Sequence, residues 1–178
     1  MTPRFALRAA TNELHSKLDE SLSRLDLGEV DGYRRFLRFH GRTVPPIEDA
    51  LAGGGIGSLL PEWDRSRRTP SIVADLSALD EPMPAPVDQP SPRSVAELLG
   101  MAYVLEGSRL GGRILRKRVG KDLPISFLTQ SGTMTVWPAL IAVLDRHLDS
   151  ELMITEAATA ARSCFSSFLS ATAKEGIA

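Results

Sequence analysis

The sequence predicts an all-α fold, and three observations carry that prediction. Apolar residues recur at helical spacing in several long segments, no stretch alternates apolar and polar residues over a useful length, and capping signals stand where the periodic segments begin. The chain has 178 residues and no internal repeat. That length suits one domain with a sizeable core, so residues 1–178 are read as a single helical domain.

The first helix is placed from about Thr2 to Arg24, with Leu7, Thr11, Leu14, Leu18, Leu22 and Leu25 along one face. Gly28 ends that segment. A second helix follows Asp31 and gathers Tyr33, Phe36, Leu37 and His40 on one face. Pro45 and Pro46 should kink or interrupt it, because each lacks an amide donor and clashes with the preceding turn. The run "GGGIG", Gly53 to Gly57, has no Gly-Lys-Ser/Thr after it and reads as a flexible link rather than a phosphate loop. A short helix, a basic turn and a helix from about Ser71 to Leu79 come next. The proline-rich stretch after Asp80 cannot be regular structure and reads as an extended connector. Ser91 with Pro92, or Ser94 with Glu97, then starts a helix expected to run to about Val119. Arg116, Lys117 and Arg118 suit its C-terminal dipole, and Gly120 suits the position just past its end. Two more helices are expected, from about Thr133 with Pro138 near its start, and from about Ser150 to Lys174.

Composition narrows the function. The chain is 43% hydrophobic and 24% charged, with a formal net charge of −1. That balance suggests neither nucleic acid nor an anionic membrane as partner. No apolar run approaches the roughly 18–20 residues that span a bilayer, and the N-terminus has no secretory pattern. Cys164 is the only cysteine, which rules out an internal disulfide and a thiolate zinc cluster. It reads as a core thiol, and a reducing cytoplasm is the simplest setting.

Two features ask for an explanation. Gly107, Gly111 and Gly112 all lie inside the helix that begins at Ser94. Interior glycines cost about 0.8–1 kcal/mol each relative to alanine. Two roles fit them. One is close helix–helix contact, since Gly107 and Gly111 share a face; the other is a flat ligand lying against bare backbone, with the helix bent over it. The second feature is His15, at the border of the apolar stripe of the first helix. Such a histidine is usually a packing or surface residue. Asp19, four residues on, is placed to accept one ring N–H and aim the other nitrogen at a metal. Arg8, seven residues back, puts a cation about 10 Å away on the same flank, within reach of an acidic group on a ligand. Solvated charge is the plain alternative for both.

Other chemistries find no footing. There is no His-Glu-x-x-His, no Cys pair, no Glu-x-x-His set for a di-iron bundle, and no Ser–His–Asp arrangement at recognisable spacing. With three histidines in all, a site held by one histidine is the reachable design. Haem suits it, because the porphyrin already fills four iron positions. His40 and His147 receive no role, and Trp63, Trp137 and Tyr103 read as packing residues.

The segments "LRAATNELHSKLDE" and "YVLEGSRLGGRIL" resemble the proximal helix and the glycine-rich distal helix of haem oxygenases. The form "EGS-x-LGG", with "GYRRFL" and "RSRRTPSIVADLSAL", looks most like the bacterial biliverdin-producing branch, which includes enzymes serving bacteriophytochromes. The resemblance covers about Leu7 to Trp137. It implies a helical bundle with haem between a proximal and a kinked distal helix. His15 matches the proximal iron ligand, Asp19 the acidic residue bonded to it, and Arg8 a basic residue that pairs with a haem propionate. Gly107, Gly111 and Gly112 match the distal glycines. Ser108 stands where the mammalian type has an aspartate that orders a water. Arg113, Arg116, Lys117 and Arg146 are candidate partners for the remaining propionate contacts.

The resemblance implies cleavage of haem to biliverdin, carbon monoxide and ferrous iron, with haem as both substrate and cofactor. It implies O2, electrons from a separate reductase or ferredoxin, and a bilin-accepting phytochrome as a possible recipient of the product. Water near Ser108 would supply the proton. Two rival readings remain: a haem or bilin carrier or sensor without turnover, and a helical interaction module that binds no tetrapyrrole.

Overall fold

The computed structural model describes residues 2–131 and 136–177; the side chain of residue 131 is outside that description. The described residues form helices and turns and no strand. In chain order the helices are α1 (Pro3–Ser23), α2 (Val30–Gly53), α3 (Ile56–Leu59), α4 (Thr69–Ala78), α5 (Val95–Gly107), α6 (Arg109–Leu115), α7 (Ser126–Ser131), α8 (Trp137–His147) and α9 (Glu151–Lys174), with single 3-10 turns at Trp63–Ser66 and Arg116–Arg118. The expected start of the eighth helix near Thr133 lies outside the described residues; Pro138 sits in its first turn.

α9 is the spine, with α1 and α5 packed along it. α1 buries Leu7, Thr11 and Leu18. Thr11 returns its hydroxyl proton to the Leu7 carbonyl at 2.8 Å, so a polar side chain enters the core satisfied. α5 crosses α9 at Gly100, where a methyl group would fall 2.1 Å from the Ala157 carbonyl oxygen. Only a residue without Cβ allows that approach. Both long C-terminal helices begin as the sequence indicates: Ser94 Oγ accepts the Glu97 N–H at 3.1 Å, and Ser150 Oγ accepts that of Met153 at 3.3 Å.

α2 departs from expectation. It runs through Pro45 and Pro46 without interruption. The missing Pro46 N–H deprives the Arg42 carbonyl of its helical donor. The Val87 N–H, from the proline-rich connector, donates to that oxygen at 3.0 Å. The connector therefore docks. Pro84 and Val87 are buried, and a methyl at Gly41 would sit 3.0 Å from Pro84 Cδ. "GGGIG" is likewise a defined turn: Gly55 takes φ +83°, and a methyl on Gly54 would lie 2.7 Å from both Leu98 and Pro92.

Buried acids stitch the smaller helices. The Asp75 carboxylate accepts the Ser126 N–H at 3.0 Å and the Phe127 N–H at 2.9 Å, which caps α7 from α4. Glu48 does the same for α4, accepting the Arg68 N–H at 2.5 Å and the Thr69 N–H at 3.2 Å. The end of α9 is held by α2: Glu175 takes Arg38 Nε at 3.1 Å and also pairs with Arg42 Nε, while Arg35 donates to its carbonyl.

Candidate functional site

The helix expected to continue to Val119 divides at Ser108, into α5 and α6. The break falls inside the glycine-rich segment and separates the two roles those glycines could play. A methyl at Gly107 would meet the Trp137 ring at 3.6 Å, which is ordinary contact. A methyl at Gly111 would meet no described residue within 4 Å. Leu110 beside it and Ile114 one turn on are 47% and 70% exposed. Helix packing explains Gly100; it does not explain Gly111. Gly112 is buried.

On α1, His15 Nδ1 lies 3.0 Å from Asp19 Oδ2, with both side chains more than half exposed. The ring meets Phe165 of α9 edge-on at 5.8 Å. A carboxylate at Nδ1 selects the tautomer that carries its proton there and leaves the Nε2 lone pair available to a metal. Nε2 has no partner among the described residues. Arg8 is exposed and forms no ion pair among them.

α1 and the end of α5 meet around two aromatic residues. Tyr103 and Trp137 have ring centroids 5.6 Å apart, and the Arg4 guanidinium lies 6.0 Å from the Trp137 ring. Burial raises the Tyr103 phenol above its ordinary value, while the charges of Arg4 and Arg8 pull it back. Arg4, Arg8, Tyr103, Gly107 and Trp137 thus share one neighbourhood. Tyr103 and Trp137 pack there, as expected. His15 follows Arg8 by two helical turns.

Behind α5 and α6 lies a polar core that sequence reasoning missed. Arg68 is 1% exposed. Its Nη2 donates to the Leu105 carbonyl at 2.8 Å and to Ser108 Oγ at 3.0 Å, where α5 ends. Burial, then the nearby Arg109, push the Arg68 guanidinium down to about 10. Arg109 is equally buried and pairs with Glu106 at 2.6 Å; it also donates to the Ser66 carbonyl. The Glu106/Arg109 spacing of three on an apolar helix was the available signal. Nothing in "RSRR" told the buried Arg68 from the exposed Arg65 or the half-buried Arg67. His40 is enclosed by Phe36, Phe39 and Phe127 at 4.3–4.8 Å, with Nδ1 against the Phe36 carbonyl at 2.8 Å. Burial drives its imidazole down to about 3, so it is neutral.

An open cleft of about 900 Å³ lies elsewhere, between the start of α4 and α7. Its arginines are engaged, Arg65 with Glu62 at 2.9 Å and Arg67 with Asp49 at 2.6 Å. No three His, Cys, Asp or Glu side chains gather to hold a bare metal ion among the described residues. None of those residues forms a helix long and apolar enough to cross a membrane.

A haem fits the residues present on two counts. Leu110, Gly111 and Ile114 leave apolar side chains and main chain exposed, the kind of surface a flat macrocycle covers, and the Asp19-oriented imidazole has one nitrogen that would bind iron. Those residues are what the chain would use to hold it.

No family model matches the chain. Its sequence is 31% identical over 153 residues to the haem oxygenase of Xanthomonas campestris pv. campestris (strain 8004), across 83% of this chain and 92% of that protein. It is 28% identical over 150 residues to haem oxygenase PigA of Pseudomonas aeruginosa, across 78% of this chain and 75% of that protein. The fold superposes on the Neisseria meningitidis haem oxygenase, solved in NO- and CO-bound forms, with a TM-score of 0.81 over 98% of this chain and 92% of that one, at 20% identity. With 31% of the aligned residues identical to the Xanthomonas enzyme across 83% of its own length, the chain belongs to the haem oxygenase family.

Proposed function

We propose that the chain, acting as one domain, opens haem to biliverdin, carbon monoxide and ferrous iron, using O2 and electrons from a separate reductase or ferredoxin. When bound, haem supplies the iron at which O2 is reduced and the meso carbon that is oxidised. The observation that carries the reading is the exposed main chain at Gly111, where no described residue comes within 4 Å of the space a side chain would fill.

In this reading His15 holds the iron through Nε2, and Asp19 fixes the ring. Asp19 accepts the Nδ1 proton and so keeps the ring turned with Nε2 free. Arg8 meets a propionate from the open flank of α1. Gly107, Gly111 and Gly112 would let main chain lie against a bound haem and limit the space open to a small ligand there; that is catalysis by positioning. Ser108, at the break, holds the water that delivers a proton. A cytoplasmic setting, and delivery of biliverdin to a phytochrome apoprotein, complete the proposal; the "EGS-x-LGG" form supports the second.

Anaerobic haem titration followed by ascorbate and oxygen tests it. The expected outcome is a Soret band that forms stoichiometrically, then decays as biliverdin absorption rises. A Soret band that persists would make the chain a carrier, and a His15→Ala variant with an unchanged haem spectrum would remove His15 from the iron.

A further inference from the structure

The Ser108 hydroxyl has one proton, and the structure shows where it goes. Oγ donates to the Leu105 carbonyl at 2.7 Å. It accepts from Arg68 Nη2 at 3.0 Å, and the same Nη2 donates to Leu105 O at 2.8 Å. These three groups close a ring at the end of α5. A guanidinium only donates and a carbonyl only accepts, so together they fix the sense of the hydroxyl between them. One acceptor lone pair of Oγ remains.

Arg68 is held in place on several sides. Its backbone N–H is bonded to Glu48 at 2.5 Å, its guanidinium lies 5.7 Å over the Phe127 ring, and the side chain is sealed from solvent. Ser108 itself is exposed, next to the backbone assigned to the haem face.

We infer that Arg68 is a positioning residue of the distal face, locking Ser108 as a hydrogen-bond acceptor. A water lying against Ser108 then donates one hydrogen to Oγ and keeps the other free for a ligand of a haem bound along Gly107–Gly112. Ser108 is not the proton source; it sets the direction in which the water gives its proton. This rests on the reading of Gly107–Gly112 as the haem face.

The variants Ser108→Ala, Arg68→Lys, Arg68→Met and Ser108→Ala/Arg68→Met test it by three readouts. Haem affinity should stay within about twofold of wild type, since no proximal group changes. Single-turnover haem degradation should fall roughly tenfold or more in Ser108→Ala and Arg68→Met, as for loss of a positioned proton-transfer partner. The double variant should be no slower than the slower single, and Arg68→Lys should recover part of the rate. In the haem-free protein, the shifts in urea midpoint for the two single changes should sum to more than the shift of the double, the mark of two groups acting as one. Wild-type turnover in Ser108→Ala or in folded Arg68→Met overturns the inference, as do rate losses that multiply. If Arg68→Met fails to fold, Ser108→Ala and Arg68→Lys decide. If the wild-type protein shows no His15-dependent haem spectrum, the proposed function fails on that count alone. Additive midpoint shifts in the haem-free cycle would overturn the Arg68–Ser108 coupling separately.

Discussion

Gly100 of α5 lies under the Ala157 carbonyl of α9, closer than any Cβ permits. Alanine there gains about 1 kcal/mol of helix propensity. It must also push apart two helices of the central layer, and forced overpacking costs typically about 1–3 kcal/mol or more. Gly100→Ala should therefore destabilise the fold, read as a lower urea midpoint. A midpoint at or above wild type would mean the crossing is looser than drawn.

Gly111 should behave in the opposite way. With no described residue within 4 Å of where its side chain would go, Gly111→Ala should leave the haem-free protein as stable as wild type or up to about 1 kcal/mol more so. Gly111→Leu should then weaken haem binding or stop turnover by filling that space. Normal turnover in the leucine variant would show that no macrocycle lies there.

His15 and Asp19 are both exposed, so their removal should cost little stability. His15→Ala should abolish the native haem spectrum while moving the urea midpoint hardly at all. Asp19→Asn should keep the haem, since an amide still accepts from Nδ1–H, and change the rate of turnover more than the affinity. The two titrations, run beside circular dichroism of the haem-free variants, separate ligand loss from unfolding.

His40 makes stability pH-dependent. Its folded value of about 3 lies below the ordinary 6.5, so the unfolded chain binds the proton that the folded chain refuses. Stability from this source is complete above about pH 6.5 and falls as pH drops toward 3, by up to about tenfold in the folding equilibrium per pH unit. Urea midpoints at pH 7 and pH 5 should differ less in His40→Phe than in wild type. Equal differences would place the acid sensitivity in other groups.

Much of the helix plan was legible because it is written locally. Ser94 caps the helix that its spacing from Glu97 announced, Ser150 caps the one expected to start there, and the imidazole–carboxylate pair of α1 follows from a spacing of four. What stayed hidden depends on partners distant in sequence. Nothing near Pro46 reveals that Val87 will donate to the Arg42 carbonyl, so an interruption was the reasonable expectation. Helical periodicity runs unbroken through Ser108, and the divide there comes with a buried arginine forty residues earlier in the chain. The role of Gly100 was invisible for the same reason: its neighbour is Ala157.

The Val87–Arg42 bond turns the tandem prolines from a flaw into a fitting. An engineer replacing Pro46 with alanine to strengthen α2 would return a rival amide to an oxygen already used by the connector. The edit that local propensity recommends would then loosen the seam between the two halves of the sequence.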